Sequence, residues 1–421
     1  MHILSNCLRA TLRARVSVVP RLPQTWRTRM STKGATPSMA VLDDYLNIAG
    51  QHFDHIPSSE LSVDIFNEAL PSFINATASQ QESIVEKLRP YTIISSMRER
   101  TSFPAELLRA LPNLRLLLAT GTQFETFDLN VAKDLGIHVV AAPGRGRADG
   151  KIASFAGRPI RPKLDIRHGG GHPTTQHTWS LILALARNVA FDDAAMKDPT
   201  RKAAWQSRLA VGMSGATLGV MGLGRLGAAV ARIGALAFGM RVICWSANLT
   251  QERADAKAIE LGLPARGGGG AYPLEADEPT FRAVSKEELF RQSDVLSLHY
   301  VLGERSKGIV GKDELAIMKD SALLVNTSRG PLIDENGLYE ALLRGTIRGA
   351  ALDVFDVEPL PASSRWRSTE WGTGEKGSLI ITPHMGYAEE GIMHTWYEET
   401  AENLERWLRG DERSCVFSVQ L

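Results

Sequence analysis

Three polar positions stand just past apolar runs, where a parallel α/β sheet places its working side chains. They are Arg329, after Leu323-Leu324-Val325-Asn326; Glu358, in the stretch that leaves Ala350-Ala351-Leu352; and His384, after Leu379-Ile380-Ile381-Thr382. An arginine grips a carboxylate through two parallel N–H donors and polarises the neighbouring carbonyl. A histidine gives or takes a hydroxyl proton, and a carboxylate beside it fixes its tautomer. Taken together the three could serve hydride transfer between a dinucleotide and the carbonyl of an acid. Taken singly each has a plainer reading: Arg329 as a surface ion pair, Glu358 as a loop charge, His384 as a helix cap.

A glycine turn gives the set its context. Residues 216–250 run from an apolar stretch through Gly222-Leu223-Gly224-Arg225-Leu226-Gly227 into an Ala-rich segment and a second apolar stretch. This spells strand, turn, helix, strand. Gly222 makes the tight turn, Gly224 lets a pyrophosphate approach the backbone, and Gly227 lets helix and strand pack closely, with the phosphates at the helix N-terminus.

Composition bounds the rest. The chain has 421 residues, of which 43% are hydrophobic and 23% charged, with a net charge of +1, so neither nucleic acid nor an acidic membrane is the expected partner. Small molecules are. The three cysteines, Cys7, Cys244 and Cys415, are too scattered for a disulfide framework or a metal cluster, and no apolar run is long enough to span a bilayer.

The first forty residues form a separate region. Arg9, Arg13, Arg15, Arg21, Arg27, Arg29 and Lys33 precede the first acidic residue, Asp43. That bias fits a mitochondrial presequence, or a basic tail ahead of an internal start at Met30 or Met39, and leaves a cytoplasmic or mitochondrial location open. From Met39 on, strands are expected at 40–42, 61–65, 92–95, 114–119 and 137–141, with a helix signalled by Ser102 and Pro104. Residues 144–172, rich in Gly, Arg and Pro, read as an insertion, and His168, His172 and His177 as solvated loop histidines with no metal role. A long helix over 176–189 leads into the dinucleotide unit. After a second irregular patch, 264–280, Ser285 and Glu288 form a capping box. Strands at 295–299, 322–326, 350–354 and 379–382 alternate with helices, and 389–409 is a final amphipathic helix.

With the glycine turn, these motifs closely resemble the D-isomer-specific 2-hydroxyacid dehydrogenase family over about 39–410. The resemblance implies a doubly wound parallel-sheet Rossmann cofactor domain inserted into a smaller, flavodoxin-like α/β substrate domain. The expected divisions are 1–38, a presequence or tail; 39–144, the first part of the substrate domain; 145–172, the insertion; 173–385, the dinucleotide-binding domain; and 386–421, a helix returning to the substrate domain. It implies Arg329, Glu358 and His384 as the catalytic triad and Asp353 as the residue holding the nicotinamide carboxamide. The backbone amides of Thr120, Gly121 and Thr122 would bind the acid's carboxylate. Gly222 to Gly227, Ser246, Asn248, His299 and Thr327 would contact the cofactor, His299 as pocket lining. No metal is implied, and a homodimer is.

The second cofactor strand ends in Trp245-Ser246-Ala247-Asn248, where many relatives carry an acidic residue for the adenosine ribose. Without it NAD and NADP both remain open. The expected activity is interconversion of a 2-oxo acid and a D-2-hydroxy acid. Two rivals stand beside it: a dinucleotide-sensing corepressor on the same fold, and a formate dehydrogenase. The second lacks its glutamine, since none occurs between Glu358 and His384.

Overall fold

The computed structural model describes residues 36–411 apart from 123, 125, 150–153, 156–157, 160–171, 201–204, 207 and 270–273. The charged N-terminal region and His168 lie outside the described residues.

Five short strands make the first sheet: β1 (Ser38–Val41), β2 (Ser62–Ile65), β3 (Ile93–Ser96), β4 (Leu116–Thr120) and β5 (His138–Ala142). All neighbours are parallel, in the order β2-β1-β3-β4-β5, which is the flavodoxin-like winding. Strands covered on both faces must be apolar throughout, and β3 and β4 are buried along their whole length. Alternate side chains divide between two layers. Ala40, Ile94 and Leu117 meet α1 (Ala78–Leu88), α2 (Ala105–Ala110) and α3 (Leu129–Asp134). Met39, Ile93 and Leu116 meet Met393, Trp396 and Leu404 of the last helix.

The short antiparallel pair β6 (Ser154–Phe155) and β7 (Arg158–Pro159) follows, then α4 (Pro173–Ala186) and α5 (Val189–Lys197). The second sheet joins β8 (Thr217–Met221), β9 (Arg241–Trp245), β10 (Phe281–Ala283), β11 (Val295–Leu298), β12 (Leu323–Asn326), β13 (Gly349–Leu352) and β14 (Ser378–Ile381). Its order is β10-β9-β8-β11-β12-β13-β14, parallel throughout, with the reversal of a dinucleotide fold between β8 and β11. Its helices are α6 (Arg225–Phe238), α7 (Gln251–Glu260), α8 (Lys286–Gln292), α9 (Lys312–Ala316), α10 (Glu335–Leu343) and α11 (Arg365–Ser368). The chain ends in α12 (Glu390–Leu408), which packs on β4 and β5 of the first sheet.

The structure corrects several local expectations. Helix α2 begins as expected at Ala105, but Pro104 is its N-cap and the Ser102 hydroxyl is buried away from it. The helix expected over 176–189 starts at Pro173 and stops at Arg187, because Asn188 takes a left-handed φ of 58° and starts α5. Five helices, α1, α3, α5, α7 and α11, carry no sequence expectation. Four of them have a legible side-chain N-cap: Thr77 with Gln80 for α1, Asp128 for α3, Thr250 for α7 and Ser364 for α11.

The segment read as an insertion is attached to the fold where it begins. Glu399 and Glu402 of α12 are 0% and 1% exposed. Glu399 accepts the backbone N–H groups of Gly144 (2.6 Å), Arg145 and Gly146 (2.5 Å). Glu402 accepts those of Ala148 (2.7 Å) and Asp149 (3.1 Å). A run of polar residues without apolar periodicity is held here by carboxylates bonding its backbone, a signal that a search for buried side chains passes over.

Candidate active site

The glycine turn shows three different constraints. Gly222 has φ 97°, and a Cβ there would stand 2.5 Å from the His299 carbonyl oxygen. At Gly227 a Cβ would lie 2.0 Å from the Gly222 oxygen and 3.1 Å from Val220, so helix and strand meet without a side chain between them. Gly224, the N-cap of α6, would meet nothing within 4 Å. Open space in front of a helix N-terminus is what a pyrophosphate requires, so the turn fits a dinucleotide.

On the adenosine side, Trp245 stacks on Tyr300 at 5.6 Å, and the Tyr300 hydroxyl accepts from the Ala247 N–H at 3.3 Å. Ser246 is half-buried and Asn248 exposed. Arg253, in the first turn of α7, folds back and donates to the Asn248 carbonyl at 2.6 Å. No arginine directly follows Asn248 in sequence, yet the helix turn brings one to that strand end.

The loop after β12 aims Arg329. Buried Asn326 accepts from the Ser328 N–H at 3.0 Å and donates to the Arg329 carbonyl at 2.9 Å, gripping the turn from both sides. Ser328 donates to the Tyr300 carbonyl at 2.9 Å, and the Thr327 hydroxyl is paired with Thr178 of α4 at 2.8 Å. A side chain at Gly330 would strike the Phe355 backbone at 2.1 Å, so the Arg329 loop lies directly on the loop that carries Glu358.

Glu358 is held by the Phe355 N–H at 2.9 Å through one oxygen and meets His384 Nδ1 at 2.5 Å through the other. With Nδ1 engaged, Nε2 is the nitrogen left for a substrate. His384 itself has φ 51°, a conformation that costs a non-glycine residue about 1–3 kcal/mol and persists only where its surroundings impose it. Asp353 is part of that imposition. It is 1% exposed and accepts from Thr382 Oγ1 (2.6 Å), the Met385 N–H (2.9 Å), the Gly386 N–H (3.0 Å) and His177 Nε2 (3.2 Å). Burial alone would raise its pKa, but these donors hold it below the usual carboxylate range.

One expectation gains an observed setting here and one changes. Asp353, expected at the nicotinamide carboxamide, bonds the turn that bears His384. His177, expected as a solvated loop histidine, is a residue of α4 that bonds Asp353 and Thr382, while His172 is that helix's N-cap. Sequence distance hid the first pairing, since 176 residues separate His177 from Asp353.

In the expected carboxylate loop one amide is engaged within the protein: the Gly121 N–H donates to the Ala142 carbonyl at 2.8 Å. The Thr120 hydroxyl, 1% exposed, accepts from the Arg98 N–H at 2.8 Å. His299 bonds Ser297 at 2.8 Å, and burial lowers its pKa to about 4, so it is neutral at pH 7.

The tripeptide Arg98-Glu99-Arg100, one residue beyond β3, carries no sequence expectation, and it reaches from the first sheet to Arg329, Glu358 and His384. Glu99 accepts from Arg329 Nη2 at 2.5 Å. Arg100 donates to Glu358 at 3.3 Å and to the His384 carbonyl at 2.8 Å. Its alternating charges at a strand's carboxyl end were the available signal. Among the described residues no group of three His, Cys, Asp or Glu could hold a metal ion, and no helix is long and apolar enough to cross a membrane.

Comparison with known proteins gives the geometry a context. Residues 179–264 and 270–386 match the family model described as D-isomer specific 2-hydroxyacid dehydrogenase, NAD binding domain. A glyoxylate reductase of Korarchaeum cryptofilum is 31% identical over 309 residues, 73% of this chain and 77% of the relative. A D-3-phosphoglycerate dehydrogenase of Methanocaldococcus jannaschii is 30% identical over 82% of this chain and 55% of its own length. Among solved structures, a phosphoglycerate oxidoreductase from Vibrio cholerae superposes with a TM-score of 0.67 at 27% identity, over 89% of this chain and 100% of that one.

Proposed function

The chain belongs to the D-isomer-specific 2-hydroxyacid dehydrogenase family, whose NAD(P)-dependent oxidoreduction of 2-oxo and 2-hydroxy acids it shares, and we propose that Arg329, Glu358 and His384 carry that reaction here. The observation that supports this most directly is the 2.5 Å pair of His384 Nδ1 and Glu358, on the same side of the second sheet as Arg329 and the glycine turn. Arg329 binds the acid's carboxylate and polarises the adjacent carbonyl. His384 delivers a proton from Nε2 to the carbonyl oxygen, and Glu358 fixes the tautomer and stabilises the charged imidazole. A bound nicotinamide dinucleotide supplies the hydride. In the reverse direction His384 takes the proton from the hydroxyl. Gly224 and the α6 N-terminus hold the pyrophosphate.

Ser246, Asn248 and Arg253 favour a cofactor bearing a 2′-phosphate: no carboxylate stands at the end of β9 to repel it, and the Arg253 guanidinium is within 2.6 Å of the Asn248 carbonyl. A homodimer is part of the same reading. The exposed apolar side chains Val189, Met196, Trp205 and Leu209, clustered in sequence after α4, support it.

Purified protein, a panel of 2-oxo acids and the absorbance of NADH or NADPH test the activity. Oxidation of the cofactor by at least one acid is expected, with the larger kcat/KM for NADPH. No oxidation with either cofactor across the panel would refute the reading.

A further inference from the structure

The mechanism leaves one part-buried acid at the site, Glu99, without a role. Glu99 belongs to the first sheet's loop, its side chain is 14% exposed, and it lies between two guanidiniums, accepting from Arg98 Nε at 3.2 Å and from Arg329 Nη2 at 2.5 Å. Burial alone would raise its pKa, but Arg98 and Arg329 overcome this and push it down to about 2, so it is a carboxylate at any working pH. The loop that carries it is tightly determined. Arg98 has φ 53°, its N–H is bonded to Thr120, and its guanidinium lies over the Tyr387 ring at 4.8 Å.

Resting on the proposed function, in which Arg329 binds the acid's carboxylate, we propose that Glu99 is a charge filter that restricts the substrate to 2-oxo acids with an uncharged substituent. The argument is a matter of distance and charge. Any anion bound to Arg329 lies within the width of one guanidinium, about 5 Å, of the Glu99 carboxylate, where like charges repel strongly in a partly desolvated cleft. The neighbouring cations are already engaged. Arg98 pairs with Glu99, and Arg100 with Glu358, the His384 carbonyl and Tyr387. Arg98, Arg100 and Arg329 against Glu99 and Glu358 leave one positive charge over, enough for one carboxylate. A protonated His384 adds a second, which leaves with the proton given to the carbonyl oxygen. Arg225 stands at the cofactor's glycine turn, where burial and the charge of Arg98 both lower its pKa. A substrate carrying a second carboxylate or a phosphate would therefore bring a charge for which Arg98, Arg100 and Arg329 leave no free guanidinium, next to a fixed anion.

The test is a binding titration that needs no turnover. The protein loaded with its oxidised nicotinamide cofactor is titrated calorimetrically with 2-oxobutanoate, whose substituent is neutral, and with oxaloacetate, which adds a carboxylate at a similar length. Wild type is expected to bind the first at least about tenfold more tightly. Glu99→Gln, which keeps the shape and an acceptor, should reduce that ratio to within about threefold by tightening oxaloacetate, with melting temperature unchanged. Glu99→Ser serves the same purpose should the glutamine variant fold poorly. Equal affinities in wild type, or a ratio that neither variant moves, would overturn the filter while leaving the oxo-acid activity standing. Failure of wild type to bind either acid would overturn both.

Discussion

Two sets of carboxylates tie distant segments of this molecule together, and they differ in what they hold. At the cleft, Glu99 and Glu358 bond guanidiniums and an imidazole, side chains that can reorient, with a single backbone bond from Phe355 to Glu358, and Arg329 and Glu358 keep 34% and 23% of their side-chain surface open. On α12, Glu399 and Glu402 bond five backbone N–H groups of residues 144–149 and are closed to solvent. A carboxylate bonded to backbone fixes a chain path, since its partners cannot leave without unfolding. One bonded to a flexible cation can exchange that partner for a ligand. The same residue type is architectural in the first setting and chemical in the second.

That contrast can be broken by substitution. His384→Ala is expected to lower kcat by at least about a hundredfold with little change in melting temperature, because it removes the proton donor and no backbone partner. Steady-state kinetics and a thermal scan on one sample decide it, and wild-type turnover would remove His384 from the reaction. Glu399→Ala should do the reverse. It leaves three N–H groups, one buried and two part-buried, without their carboxylate acceptor, costing on the order of 3 kcal/mol and several degrees of melting temperature, while kcat per folded molecule holds. Retained stability would mean that water replaces the carboxylate and that the α12 set is not architectural.

A milder change sharpens the cleft side. Arg329→Lys keeps the charge but loses the planar fork, so the KM for the oxo acid should rise several-fold, with a smaller effect on kcat. An unchanged KM would count against Arg329 as the carboxylate's partner.

The smallest effect concerns the far side of α12. His394 of that helix meets His52 at 2.9 Å, and His52 stacks on Tyr397 at 5.8 Å. Burial first, then the charges of His394 and His55, lowers the His52 pKa from 6.5 to about 4. The folded protein thus keeps His52 neutral where the unfolded chain would take up a proton. Stability is fully present above about pH 6.5 and lost as pH falls from there towards 4. Melting temperatures across that range should decline, and His52→Asn should flatten the decline. A parallel decline in the variant would assign it to other groups.

Much of this molecule is legible in its sequence. The glycine turn, the alternation of apolar runs with helix signals, and the polar residues after β12, β13 and β14 follow from local rules: glycine where a Cβ cannot fit, continuous apolar strands where both faces are covered, function at carboxyl ends. Of the five helices without a sequence expectation, α1, α3 and α7 had caps in plain sight. Their interiors carry few large apolar residues, with only Ala254 and Ala258 buried in α7, so periodicity was faint.

What the sequence determined by itself is the set of chemical groups and the order of the elements that carry them, because strand and helix patterning act over neighbouring residues. Only the tertiary structure decided the partners. Glu99 meets Arg329 across 230 residues, Arg100 meets Glu358 across 258, and Glu399 meets Gly144 across 255. It also placed Asp353 under the turn of His384 and turned the Gly121 amide into the first sheet. Such pairings depend on how two sheets face each other. Charges and hydrogen bonds select partners by distance in space, and a single chain read in order carries no measure of that distance.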